Sequence, residues 1–122
     1  MSERLGQKNW FIADGFIPPI SNGDQESHES ICVLNCNLEQ VELEVIVYFE
    51  DRDPLEGLFY SIEGRRTKHI RTSWLKNDQG EQIPLGVPYA MEIRSNQAII
   101  VQYSRLDSTQ KELALMTTMG YS

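Results

Sequence analysis

The stretch Val41-Glu42-Leu43-Glu44-Val45-Ile46-Val47-Tyr48-Phe49 decides the fold class. Val41, Leu43, Val45, Val47 and Phe49 recur at every second position, while Glu42, Glu44, Tyr48 and Glu50 fall between them. An extended chain sends alternate side chains to opposite faces, so this segment is a strand with one buried and one wet face. Similar signals occur around Trp10 to Ala13, Ile31 to Asn35, Leu58 to Ile62, Tyr89 to Arg94 and Ala98 to Tyr103. The breaks carry turn chemistry: Pro18-Pro19, Asn22-Gly23-Asp24, Asp53-Pro54, Asn77 to Gly80 and Ser95-Asn96.

Short neighbouring strands without helical crossovers favour antiparallel pairing. The expected fold is all-β: a single-domain antiparallel β-sandwich or jelly-roll-like barrel of about 7–8 strands. Two segments are ambiguous. Thr72 to Lys76 suits one helical turn, and Ser108 to Leu115 suits a short helix before a final strand from Leu115 to Tyr121.

A chain of 122 residues suits one core, and 40% hydrophobic with 24% charged residues is the composition of a folded domain. The formal charge of −7 repels nucleic acid and anionic membranes, so neither is an expected partner. The amino terminus MSERLGQKNWFIADG has no apolar signal region, and no stretch approaches a spanning helix, so a cytoplasmic location is expected. Cys32 and Cys36 in an extended segment would lie roughly 13 Å apart, too far for a disulfide. Their spacing fits structural zinc poorly, and buried free thiols are expected.

Arg65-Arg66-Thr67-Lys68-His69-Ile70-Arg71 concentrates four of the 11 basic residues and no acid. As a strand it projects Arg65, Thr67, His69 and Arg71 to one face, a row of donors suited to a carboxylate, a phosphate or a sugar acid. The same charges suit a solvated edge strand or ion pairs with the chain's own acids, and the sequence leaves both readings open. His28-Glu29 precedes an apolar strand and places a titratable pair at a pocket rim. It is not a zinc-protease signature, because position 32 is Cys rather than His. No metal site and no cofactor are expected.

Ser104-Arg105-Leu106-Asp107 offers a cation and a carboxylate two residues apart on one face, for pairing with each other, across strands, or at a pocket. Glu50 to Pro54 is acidic but lacks regular calcium-ligand spacing and reads as a solvated turn. Nucleophile-elbow, phosphate-loop and dinucleotide-turn motifs are missing, and the chain is not expected to be an enzyme. A polar pocket drawing on His28, Glu29, Arg65, His69, Arg71, Arg105 and Asp107 is the candidate ligand-binding site.

These segments, taken in order, resemble the sensory rhodopsin transducer family over nearly the whole chain. The pieces are Trp10 with Asp14-Gly15-Phe16-Ile17-Pro18, Ser27 to Asn35, the basic strand Arg65 to Arg71, Ser95-Asn96, Val101-Gln102, Ser104 to Ser108, and Leu115 to Thr118. The resemblance implies a compact β-sandwich that assembles as a homotetramer. It also implies a role in passing a signal from a membrane sensor or in binding a sugar-like or anionic metabolite.

Overall fold

The computed structural model describes residues 6–17, 28–107 and 114–119. Seven strands run through them: β1 (Gln7–Gly15), β2 (His28–Asn35), β3 (Val41–Phe49), β4 (Leu55–Ile62), β5 (Arg66–Arg71), β6 (Tyr89–Asp107) and β7 (Ala114–Met119). A single 3₁₀ turn, Thr72–Trp74, follows β5 where one helical turn is expected from the sequence. No helix among the described residues is long and apolar enough to cross a membrane.

All pairings are antiparallel, and every strand joins one curled sheet of order β4-β3-β6-β2-β5, with β1 and β7 also paired to β6. The 19 residues of β6 make this possible. Its first half lies between β1 and β3, and its second half between β2 and β7. The all-β antiparallel class read from the sequence is therefore the observed one.

The alternation in β3 is realised: Val41, Leu43, Val45 and Val47 are buried, with Phe49 half-buried at the strand end. Ile31 and Val33 of β2, Leu55, Leu58 and Ile62 of β4, and Met91, Ile93, Ile99 and Val101 of β6 join the same core. In β6 the inward residues are Tyr89, Met91 and Ile93 in the first half and Ile99, Val101 and Tyr103 in the second, with Gln97 exposed and Ala98 buried at the bend between them.

Three expectations are corrected here. Ser95-Asn96 is not a turn between two strands but the point where β6 changes partners. Ser95 still pairs with Leu43, and Asn96 Oδ1 accepts the Glu42 main-chain N–H at 3.0 Å, so the ladder is satisfied without reversing the chain. The proposed helix from Ser108 does not extend to Leu115, because Ala114 to Leu115 already belong to β7; residues 108–113 lie outside the described set. The cysteines are free but not buried. Cys32 is half-buried and Cys36 exposed, because the inward positions of β2 are Glu29, Ile31, Val33 and Asn35.

Asn35 holds the far corner. Its buried Nδ2 donates toward the carbonyls of Glu39, Ile62 and Glu63 at 2.9, 3.1 and 3.1 Å. Its Oδ1 accepts from the main-chain and side-chain N–H groups of Asn37 at 2.9 and 2.8 Å. The loop after β2 and the connection after β4 are thereby locked together, and only glycine fits at position 64, because a Cβ there would sit 2.0 Å from the Leu38 carbonyl oxygen. Replacing Asn35 by Ala strands several buried polar groups at once. Urea denaturation of Asn35→Ala should show a loss of about 2 to 3 kcal/mol, against less than about 1 kcal/mol for Asn96→Ala at the exposed bend.

Candidate functional site

Glu29 is the first inward residue of β2 with a described side chain, and it is 1% exposed. A carboxylate in that position must be supplied with donors, because water cannot reach it. Four groups supply them. The Phe16 main-chain N–H straddles both oxygens at 2.9 and 3.1 Å, and Arg105 Nε donates at 2.8 Å. The hydroxyls of Tyr89 and Tyr103 donate to Oε1 and Oε2 respectively. Thr72 Oγ1 lies 3.1 Å from the Tyr89 hydroxyl and 3.4 Å from the Glu29 carbonyl oxygen, tying the 3₁₀ turn into the same cluster.

Register explains why these residues meet. Glu29 pairs with Arg105 and Ile31 with Tyr103 across β2 and β6, so Glu29, Tyr103 and Arg105 share the inner face. Tyr89 reaches Glu29 from the opposite end of β6, across the core. Its ring lies against Gly15, its partner in β1, where a Cβ would come within 2.5 Å of the ring. The glycine of the Asp14-Gly15 pair is required by that close approach.

The electrostatics follow from burial. Burial, then the adjacent Glu29 charge, holds the Tyr89 phenol above its ordinary pKa, and burial with the hydrogen bond to Glu29 does the same for Tyr103. Burial works to lower the Arg105 pKa, but the bonds to Glu29 and Tyr103 outweigh it and the guanidinium is more firmly protonated than usual. Arg105 Nη2 is buried and has no hydrogen-bond partner among the described residues.

Of the seven residues singled out from sequence, the fold brings Glu29 and Arg105 into direct contact. Arg71 pairs in register with Ser30, one row away, but faces outward, with its guanidinium 5.2 Å from the centroid of the exposed Trp74 ring. His69, exposed and paired with Cys32, lies on the same outer face two residues further in. The donor row and the Glu29–Arg105 pair thus occupy opposite faces of one sheet, as strand alternation demands. Arg65 departs from expectation: β5 begins at Arg66, and Arg65 sits in the preceding turn with φ of 55°, its N–H donating to the Asn37 carbonyl at 2.9 Å. His28 and Asp107 lie at the same end of the sheet by register, paired with Leu106 and Ala114, and their side chains are outside the described set.

The sequence reading missed Tyr89, Tyr103 and Thr72. A signal was present for the phenols: Tyr89 shares the parity of Met91 and Ile93, and Tyr103 that of Ile99 and Val101, so both hydroxyls enter the core and need partners there. The Glu50 to Pro54 turn is exposed, with Asp51 and Arg52 paired at 2.9 Å. No group of three or more His, Cys, Asp or Glu among the described residues is placed to hold a metal ion.

Two outcomes follow. Glu29→Ala leaves the Arg105 charge and two phenols without their acceptor, and should lower unfolding free energy by about 3–5 kcal/mol in urea titrations. The phenols have folded pKa values raised above the unfolded value, so the stability they contribute is fully present below about pH 10 and is lost as pH rises beyond it. Denaturation midpoints measured from neutral to strongly alkaline pH should fall on the alkaline limb, and fall less steeply in Tyr103→Phe.

Comparison with known proteins follows the same architecture. Residues 5–122 match the sequence model of the family described as Anabaena sensory rhodopsin transducer. The solved structure of Thermotoga maritima 1070 is similar at 34% identity and a TM-score of 0.82, covering 95% of this chain and 94% of that one. The Anabaena sensory rhodopsin transducer itself is similar at 38% identity and a TM-score of 0.76, covering 87% of this chain and 93% of that one. A search of curated proteins gives no match. With nearly the full length matched by the family and both structures sharing the strand architecture, the chain belongs to the Anabaena sensory rhodopsin transducer family.

Proposed function

We propose that this chain is a non-catalytic signalling module that binds a small sugar-like or anionic metabolite at the sheet end formed by the start of β2 and the ends of β5 and β6. The observation that carries the reading is Arg105: Nε is held by Glu29, while Nη2 is buried with no partner among the described residues. An unsatisfied buried donor costs about 1–3 kcal/mol, which a ligand carboxylate, phosphate or hydroxyl oxygen would recover.

In this reading Glu29 is a positioning residue that aims the guanidinium, and Tyr89 and Tyr103 hold Glu29 in place. Arg71 stacked on Trp74 adds a second cation and an exposed ring face at the end of β5, suited to a sugar ring or an acidic substituent. His28 and Asp107 flank the same end by register. His69 lies on the outer face two residues further from this end and Arg65 sits in the turn at the other end of β5, so neither is given a contact in this reading. The polar groups around Glu29 are engaged with one another and the phenols are held protonated, which supports binding rather than acid–base turnover. A cytoplasmic homotetramer is part of the proposal, to be checked by light scattering.

The second reading rests on the family description: a transducer that docks on a membrane sensor without a small ligand. Calorimetric titration with glucuronate, glucose 6-phosphate and glucose separates the two. Binding of at least one probe, weakened about tenfold or more in both Arg71→Ala and Arg105→Lys, is the expected result, since tenfold is about 1.4 kcal/mol of lost contact. Absence of binding by all three probes would shift the assignment to docking.

A further inference from the structure

The outward face of β1, β3, β4 and the first half of β6 carries more apolar surface than a wet face needs. Register places Asn9, Arg94, Glu44 and Phe59 in one row across the four strands, and Phe11, Glu92 and Ile46 in the next. Phe11 and Phe59 stand exposed at the two margins, and Tyr48 is exposed on β3 between those margins. Ile46 also points outward, yet it is 2% exposed and takes no part in the inner core, because its neighbours on this face cover it.

The charges on this face are one-sided. Glu42, Glu44, Glu56 and Glu92 stand against Arg94 alone, four acids to one base or a net of −3. Glu92 is the buried one and is neutralised locally: Arg94 Nε and the Tyr48 hydroxyl each donate to it at 2.7 Å, and Asn9 Nδ2 at 3.3 Å. Among the described residues the other three carboxylates have no ion-pair partner.

The outward face of the other layer is the reverse. Ser30, Cys32 and Leu34 of β2 and Ile100, Gln102 and Ser104 of β6 carry no charge, and β5 along their margin holds Arg66, Lys68 and Arg71 with no acid. Leu34, exposed, pairs with Thr67 and Ile100 and gives this face an apolar centre. In a chain of 18 acidic against 11 basic residues, an acid-free face beside a basic strand is the electrostatic complement of the first. Two acidic faces would instead set −3 against −3 and repel.

We infer that copies of this chain associate head to tail, the Phe11, Tyr48 and Phe59 face of one against the Leu34 and β5 face of the next. The inference rests on the homotetramer reading and supplies its contact, since unlike faces in contact propagate until the rotation between copies closes a ring. The contact is centred at the Leu34–Thr67 end of β5, leaving the Arg71 end to the ligand.

Sedimentation velocity of the full chain and of two surface variants tests it. Glu42→Lys with Phe59→Lys turns the first face basic, and Leu34→Glu with Arg66→Glu turns the second acidic. All four side chains are exposed, so each variant should keep its circular dichroism and its melting transition. Each alone should dissociate, with association at least about tenfold weaker than in the unmodified chain. An equimolar mixture should associate again, because the intact face of each variant meets its complement on the other. If a double variant unfolds, the single Phe59→Lys or Leu34→Glu form takes its place in the same comparison. An unmodified chain that is monomeric at high micromolar concentration would overturn the tetramer reading together with this contact. An unmodified chain that is oligomeric, with either variant still assembled or with a mixture that stays monomeric, would overturn the contact alone.

Discussion

A carboxylate with no access to water organises this molecule. Glu29 draws donors from the chain after β1, from both halves of β6 and, through Tyr89, from the 3₁₀ turn after β5. Apolar contacts would tolerate several relative placements of these elements. A buried anion does not, because each missing donor leaves charge uncompensated in a low-dielectric interior. The β6 strand is where this matters most, since it changes partners at its bend, from β1 and β3 to β2 and β7. Tyr89 and Tyr103, on the two halves, end on the two oxygens of the same side chain.

The inner face of β2 reads Glu29, Ile31, Val33, Asn35: an apolar middle closed by a polar node at each end. Asn35 does for the loop end what Glu29 does for the other, with amide bonds in place of ionic ones. The two nodes differ in consequence. Asn35 spends its hydrogen-bonding capacity on main-chain groups and its role is to hold the corner. Glu29 instead gathers side chains, the Arg105 guanidinium and the Tyr89 and Tyr103 hydroxyls, from both halves of β6.

The basic strand illustrates how alternation divides a charge cluster. The residues from Arg65 to Arg71 look like one surface in the sequence, but the fold separates them into a turn, an outer row and an inner row. Lys68, on the inner parity, reaches over the Tyr60 ring of β4 at 5.4 Å, so part of the charge closes the gap between the two outermost strands. The polar Ser95-Asn96 pair was misleading for a related reason. Polar residues mark turns because they satisfy free main-chain groups, and here they do that service inside a continuous bent strand.

The sequence by itself determined the strand-built class, the faces of β3, the single turn after β5 and the family. Those properties live in periodicity and in motif order, which short-range sterics translate directly into structure. It also marked Glu29 and Arg105 as candidates, but not as partners. Only the tertiary structure decided that Glu29 faces inward against Arg105 and two phenols, that His69 and Arg71 face away from it, and that β6 runs unbroken. The physical reason is that register and layer assignment depend on pairings between residues 60 to 76 positions apart, and a local pattern carries no information about which distant row a side chain will meet.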